Sequence, residues 1–404
     1  MAEATIRDIK GIDSLCTGCG ACVAKCPTGT LGMARDTEGF DQPVLDAEAC
    51  VSCGACLTCC QVVNPPSTSK PIRVVGCYAS DPSARKAGSS GGVFGLLAGG
   101  VLSEEGVVFG AVYDAPTRSV VHRSTEDVEL GRILRSKYVQ SDAWNCYRRV
   151  RSALQDGRRV LFCGTPCQVA GLILYLGCRP EGLLTVDFFC HGVPSPGLFS
   201  DYVQLKERKR RSLVSDVTFR EKAHGWREQH MRWYYADGSV EEEPSLDNCQ
   251  YFFFVHDYSL RKSCYGCDLY SRHASDITLA DYWLIDEEND DDLGTSLVLA
   301  NTQAGESVLG SLKGRVAEVP AKDFDLSLYR HGYTMSKRKE LFSILSNEGV
   351  EAACGDYFER ECAKMARMNR LWNAGGGALR AVLRRVRGLI ADAHGRFGKT
   401  EAGR

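Results

Sequence analysis

Cys16-Thr-Gly-Cys19-Gly-Ala-Cys22-Val-Ala-Lys-Cys26-Pro27, followed by Cys50-Val-Ser-Cys53-Gly-Ala-Cys56-Leu-Thr-Cys59-Cys60-Gln61, decides how this chain is read. The chain has 404 residues and 20 cysteines, and nine of these fall between Cys16 and Cys60 at regular spacing. A chain of this length buries a core without disulfides, and its amino terminus lacks the apolar run of a secretory signal. Metal ligation in the cytoplasm is the expectation. Lys plus Arg (49) nearly cancels Asp plus Glu (51), which argues against a polycation built for nucleic acid. Apolar residues make up 44% and charged residues 25%, the balance of a globular protein of at least two domains. The uncharged stretch from Val160 to Cys178 is interrupted by Gly164, Pro166 and Gln168, so no transmembrane helix is expected.

The first run is CxxCxxCxxxCP without a mismatch, the bacterial ferredoxin signature. Three thiolates two residues apart wrap one cubane, and the fourth reaches a different cluster. By that rule Cys16, Cys19, Cys22 and Cys60 hold one 4Fe-4S cluster, and Cys50, Cys53, Cys56 and Cys26 hold the other. The second run carries Gln61 where proline would stand and leaves Cys59 as a rival to Cys60. Zinc is the alternative ligand of CxxC pairs, but a four-ligand site does not explain a repeated group of four. Such a segment is an electron wire.

Asn64 to Pro71 reads as a linker, and a second domain starts near Ile72. Strand-like Arg73 to Ala79, helix-like Val93 to Leu102 and strand-like Val107 to Tyr113 follow, with Trp144, Tyr147, Val150 and Leu154 on one helical face. Val160 to Cys163, Val169 to Leu176 and Leu183 to Phe189 continue the α/β order. Two hairpin strands, Met231 to Tyr235 and Ser239 to Glu243, turn at Asp237-Gly238 and make the whole α+β. Cys167 and Cys190 stand just beyond strand ends, where ligands of α/β sheets collect. If the two strands are parallel neighbours, Cys264 and Cys267 complete a third group of four thiolates. The division expected is residues 1–66, 72–345 and a helical basic tail, 346–404.

Cys163-Gly-Thr-Pro-Cys167-Gln168, Cys190-His191-Gly192, Cys264-Tyr-Gly-Cys267 and Ser275-Asp-Ile-Thr-Leu-Ala-Asp-Tyr-Trp283 together resemble the beta subunit of coenzyme F420-reducing hydrogenase and its dehydrogenase relatives. Ser89-Ser-Gly-Gly92, Arg135-Ser-Lys-Tyr138 and Phe219-Arg-Glu-Lys222 with Gly225-Trp226 belong to the same resemblance. It implies a flavin domain, binding FAD or FMN, with its own 4Fe-4S cluster on Cys167, Cys190, Cys264 and Cys267. The flavin would contact Ser90, Gly91, Gly92, Lys137 and Tyr138. A Ser-Ser-Gly-Gly turn entering an apolar helix offers unpaired amides that suit a diphosphate. His191 and Lys222 are the candidate catalytic groups, His191 as proton donor and Lys222, with Arg220, against an anionic substrate or phosphate.

The expectation is an iron-sulfur flavoprotein oxidoreductase. Ferredoxin or another redox protein exchanges single electrons with it, and coenzyme F420 or another small molecule is the two-electron partner. The alternative is an electron-transfer subunit serving a separate catalytic protein. Cys59, Cys77, Cys146, Cys163, Cys178, Cys249, Cys354 and Cys362 are left unassigned, and most of them read as ordinary buried thiols. Asp276 and Asp281 are expected to fix a turn, and Asn289 to Asp292 to form a solvated loop. Leu379 to Ile390, apolar at helical spacing with Arg380, Arg384, Arg385 and Arg387 between, reads as a segment for a membrane surface, a partner or its own domain.

Overall fold

The computed structural model describes residues 5–68, 70–269, 272–319 and 335–374. In the cysteine-rich segment the repeat of the sequence becomes a repeat of structure. After a short helix α1 (Ile12–Leu15), each CxxC opens a one-turn helix behind a left-handed glycine: Gly20 (φ 66°) before α2 (Ala21–Lys25), and Gly54 (φ 69°) before α3 (Ala55–Thr58). The hairpin of β1 (Leu31–Arg35) and β2 (Asp41–Leu45) separates them. A Cβ on Gly20 would lie 2.4 Å from the Trp144 side chain, so glycine is required there by conformation and by space.

The larger part begins with β3 (Arg73–Ala79), α4 (Pro82–Ala87), α5 (Val93–Ser103), β4 (Val107–Asp114), β5 (Ser119–Ser124) and α6 (Leu130–Ile133). It continues with α7 (Tyr147–Gln155), β6 (Val160–Cys163), α8 (Pro166–Leu176), β7 (Leu183–Phe188) and α9 (Pro196–Arg210). A three-stranded antiparallel sheet of β8 (Val214–Glu221), β9 (His230–Tyr235) and β10 (Val240–Pro244) leads into α10 (Cys249–Val255). The chain then returns to the main sheet as β11 (Ile277–Asp281) and β12 (Ser296–Ala300), followed by α11 (Gln303–Ser311) and β13 (Val316–Val319). The main sheet has eight strands in the order β13-β3-β12-β11-β7-β6-β4-β5. Its four central strands, β11, β7, β6 and β4, are mutually parallel and the outer ones antiparallel. The fold is mixed α/β, and the parallel β6 and β7 bring Cys163, Cys167 and Cys190 to one edge, the placement on which the third thiolate group depended.

Apolar residues on both faces of the central strands build the core. Leu161, Val186 and Val298 pack under α5 on one side, and Val160 and Phe162 under α7 and α8 on the other. That second core is shared. Ile6, Val23 and Leu31 of the cysteine-rich segment lie in the same buried cluster as Tyr147, Val150 and Leu172, so the segment is packed into the larger part. Trp144 sits in the 3-10 turn before α7, against Gly20, and not on the α7 face with Tyr147.

Two further expectations are corrected. Helices α12 (Met335–Asn347), α13 (Gly349–Ala352) and α14 (Phe358–Ala374) follow, and Leu341 of α12, with Ala353 and Tyr357 of the π-helical turn between α13 and α14, is buried in the core of the three-stranded sheet, so the first part of the expected tail packs into that core. Cys249 and Cys354, from the group read mostly as ordinary thiols, are joined in a disulfide with Cα atoms 5.4 Å apart. The amphipathic stretch Leu379 to Ile390 lies outside the described residues. Among those described, no helix is long and apolar enough to cross a membrane.

Candidate functional site

Cys16, Cys19, Cys22, Cys59 and Cys60 border one small cavity beside Met33. What distinguishes the sulfurs is the groups that face them. The Gly18 amide points at the Cys16 sulfur and the Ser52 amide at the Cys50 sulfur, both at 3.4 Å, and the Val62 and Val63 amides face the Cys60 sulfur. Amides aimed at sulfur favour a thiolate. The Cys59 sulfur instead faces the carbonyls of Cys56 (3.5 Å) and Ala55 (3.7 Å), which hold its proton, and burial pushes that thiol up to about 12. Cys50 and Cys53 lie close enough to Cys56 for their charges to raise its pKa, after burial. The Cys26 sulfur rests against the hydroxyls of Thr30 (3.5 Å) and Thr28 (3.6 Å). Slight burial there is outweighed by those hydroxyls and the Leu31 amide, which lower the thiol to about 6.

Cys167 stands in the first turn of α8, which begins with Pro166 and a reciprocal cap between Thr165 and Gln168. Cys190 follows β7, Cys264 lies within the 3-10 turn Lys262–Gly266, and Cys267 ends that turn. The four meet. Burial raises the Cys167 thiol, and the charges of Cys267, Cys19 and Cys264 raise it further; Cys190 is raised by burial and by Cys264, Cys167 and Cys267. Four enclosed sulfurs that repel one another as thiolates are a donor set for a cationic iron-sulfur core. Cys19 of the first group is the neighbour of this one: a Cβ on Gly171 of α8 would lie 3.0 Å from its sulfur. Gln61, buried between them, donates from Nε2 to the Thr17 hydroxyl (2.8 Å) and to the Cys167 carbonyl (3.0 Å).

Beyond the carboxyl ends of the parallel strands lies a cavity of about 500 Å³, with Cys190, His191 and Cys163 in its wall. Gly92, Val93 and Phe94 also line it, and α5 starts there without a side-chain cap, so its first amides and positive dipole end are available to an anion. Gly92 is left-handed (φ 79°), and a Cβ on it would strike the Ala84 carbonyl at 2.6 Å. Tyr138 stacks on Phe254 (5.1 Å) and forms an aromatic wall. These features fit a flat, phosphate-bearing redox cofactor such as a flavin.

The remaining expected residues are placed as follows. Ser90 lines the cavity with its hydroxyl bound to the Thr295 carbonyl, while Gly91 turns toward the sheet and donates to the Ser296 hydroxyl. Lys137 reaches the cavity wall, but its ammonium is enclosed by the carbonyls of Arg132, Ile133, Leu134 and Arg135 at the end of α6. Burial brings its pKa down to about 7. His191 holds Nε2 2.8 Å from Asp257 Oδ1 and meets Phe254 edge-on. Lys222 directs its ammonium to the carbonyls of Arg85, Ser90 and Leu293, tying the Ser89–Gly92 turn from behind, and it is not among the cavity-lining residues. Asp281 forms a buried pair with Arg220, and Asp276 accepts from Thr185 and Thr302. The Asn289 to Asp292 loop is not merely solvated: Asp291 grips Arg85 and Asp290 grips Arg227.

The cavity wall also holds Arg220, which the sequence pointed to, and His122 and Asp187, which it did not. His122 on β5 holds Nε2 2.9 Å from the Cys163 carbonyl; a carbonyl only accepts, so Nε2 carries the hydrogen and Nδ1 is a buried acceptor without a partner among the described residues. Arg220, over the rings of Trp226 and Trp283, leaves Nε and Nη2 without an acceptor among the described residues. Asp187 faces His273 Nδ1 at 3.0 Å with both side chains buried. A single His or Asp in a strand has no spacing to betray it.

Residues 157–323 match the family model for the carboxyl-terminal region of the coenzyme F420 hydrogenase/dehydrogenase beta subunit, and residues 15–63 match that of the 4Fe-4S dicluster domain. The F subunit of F(420)H(2) dehydrogenase from Methanosarcina mazei is 25% identical over 312 residues, covering 72% of this chain and 80% of that protein. A chain of the F420-reducing [NiFe] hydrogenase complex from Methanosarcina barkeri, solved in a xenon derivatization study, aligns at a TM-score of 0.44 with 18% identity. That alignment covers 68% of this chain and 91% of that one. The chain therefore joins a 4Fe-4S dicluster segment to a segment similar to the carboxyl-terminal region of the F420 hydrogenase/dehydrogenase beta subunits, as an iron-sulfur electron-transfer protein of the oxidoreductase kind.

Proposed function

We propose that the protein is an iron-sulfur flavoprotein oxidoreductase whose electron path runs from the cluster of Cys50, Cys53, Cys56 and Cys26, through that of Cys16, Cys19, Cys22 and Cys60, to a third on Cys167, Cys190, Cys264 and Cys267. The path ends at a flavin, FAD or FMN, in the 500 Å³ cavity. The observation that carries this reading is the position of Cys190. It belongs to the third thiol group, which touches Cys19, and it lines the cavity wall. A flavin supplies the exchange between one-electron and two-electron transfer that clusters lack.

The chain's own residues bind and orient that group. The uncapped amides of α5 and the free edge of the Arg220 guanidinium take negative charge, Tyr138 gives a flat wall, and His122 Nδ1 accepts a hydrogen bond. Clusters carry electrons but no protons. His191, paired with Asp257, and Asp187, paired with His273, are the groups at the wall that hold a proton. The two-electron partner is an anionic small molecule, for which coenzyme F420 is the leading candidate, and the one-electron partner is ferredoxin or another redox protein. Cavity and cluster wall in one chain favour an enzyme over a pure electron carrier.

The test is anaerobic purification with iron, sulfide and flavin analysis. About twelve irons and one flavin per chain are expected. About eight irons and no flavin would reduce the protein to a carrier. Replacing Cys264 and Cys267 with Ser should remove about four irons and leave the other clusters, and unchanged iron would refute the third group.

A further inference from the structure

Away from the cavity, the three-stranded sheet brings nitrogen and oxygen donors together at a point to which nothing above assigns a role. Glu242 of β10 pairs with Arg232 of β9, and His230 lies two residues before Arg232, so the period of a strand puts all three on one face. His224, from the loop joining β8 and β9, comes over the same face. Its Nε2 lies 2.6 Å from Glu242 Oε1, and His230 Nδ1 lies 3.4 Å from that same oxygen. One donor atom from each of the three side chains falls within 4.8 Å of the others.

The surroundings prepare each donor. Arg232 Nε holds the other Glu242 oxygen at 2.6 Å, so the carboxylate presents Oε1 alone. His230 directs Nε2 to Glu228 Oε1 at 3.1 Å; a carboxylate accepts, so Nε2 carries a hydrogen there, and the neutral ring offers its lone pair from Nδ1, the atom that faces Glu242. A carboxylate behind an imidazole that faces a cation is the usual outer support of a histidine ligand. The His230 side chain is 10% exposed and held in place, whereas that of His224 is 48% exposed. The two rings stack at 4.2 Å, and a cation lies in the plane of each ring it binds, so His224 must turn out of the stack to complete the set. Its exposure permits that turn and gives the cation an entry path.

We propose that His224, His230 and Glu242 bind a divalent transition cation of the zinc class and clasp the loop between β8 and β9 to the sheet. Two imidazoles and one carboxylate suit zinc, with water in the fourth position, better than the hard, all-oxygen cations. The clasped loop carries Trp226, fully buried and stacked at 4.3 Å on Trp283 of the cavity wall. The cation would therefore stiffen one wall of the redox cavity from outside, without touching the cysteines.

The experiment uses the cluster-loaded full chain, anaerobic and freed of loose metal, titrated with zinc(II) by calorimetry and followed by metal analysis after gel filtration. The wild type should retain one zinc. His224→Ala and Glu242→Gln should each weaken binding at least about tenfold, since even outer-sphere partners of a metal are worth that much. Zinc should also slow tryptic cleavage after Arg227 in the wild type and not in His224→Ala. A wild type that holds no more zinc than the variants overturns the site, as does zinc held equally by all three proteins, which would place it elsewhere. His224 is on the surface, so its variant keeps the fold, and its iron content checks that.

Discussion

Gln61 occupies the position that the ferredoxin signature gives to proline, and its side chain shows what that exchange does. Proline there could not join the Thr17 loop to the Cys167 carbonyl; glutamine does, with two hydrogen bonds from one buried amide. Gln61→Leu should lower stability by about 1–3 kcal/mol in denaturant unfolding, because buried acceptors lose their donor. It should also slow reduction of the third cluster in stopped-flow spectra while iron content stays constant. Cys59 is a second case at this scale. Its sulfur faces carbonyls and that of Cys60 faces amides, so Cys59→Ser should keep all the iron and Cys60→Ser should lose cluster. Lys137 sets a pH dependence. Burial lowers its pKa from 10.5 to about 7, so between those values the unfolded chain binds a proton that the folded one does not. Stability then rises with pH from about 7 toward 10.5, and Lys137→Met should flatten that part of a denaturation-against-pH profile.

Two helix starts carry the chemistry at the scale of elements. Proline at the first position and the Thr165–Gln168 box start α8 at a fixed point, which places Cys167 in its first turn, beyond the end of β6. The sequence placed the start of this helix at Val169 and did not show the cap, whereas the strands beside it, Val160–Cys163 and Leu183–Phe188, were legible as short apolar runs. At α5 the left-handed Gly92 leaves the first amides uncapped. Gly92→Ala meets both a positive φ and the Ala84 carbonyl, and should cost about 1–3 kcal/mol and empty the cavity of flavin. A loss of stability with flavin retained at full occupancy would separate the turn from the cofactor. What was not legible at this scale is the three-stranded sheet's role. Its strands show in the sequence as a hairpin, but their core is completed by the helices after residue 335, far along the chain, as well as by the neighbouring α9 and α10.

The whole molecule is held by cations that cross between its parts. Arg338, 2% exposed, grips both oxygens of Glu38 (2.8 and 2.6 Å), joining the helix after residue 335 to the β1–β2 turn. Arg261 reaches the carbonyls of Asp41 and Cys16 from the segment that carries Cys264. Arg338→Met should cost about 3 kcal/mol, at the low end for a broken buried pair because Lys262 still serves Glu38 at 3.2 Å. It should also expose the dicluster segment to protease. The shared core makes a stronger demand. Removing residues 1–66 uncovers Tyr147, Val150 and Leu172, so the remainder should aggregate or bind apolar dyes; a monomeric remainder that keeps flavin would show the two parts to be separable.

The sequence by itself determined what is local: the spacing of the ferredoxin-type ligands, the glycines between them and the short apolar strands. Each of these is set within a dozen residues. Tertiary structure alone decided which sulfurs face amides and which face carbonyls, that the third thiol group lies beside Cys19, that the four strands around it run parallel, and that Lys222 braces a turn while His122 and Asp187 line the cavity. Those outcomes depend on the order of strands in the sheet and on where charge is left buried, and neither is encoded in the spacing of neighbouring residues.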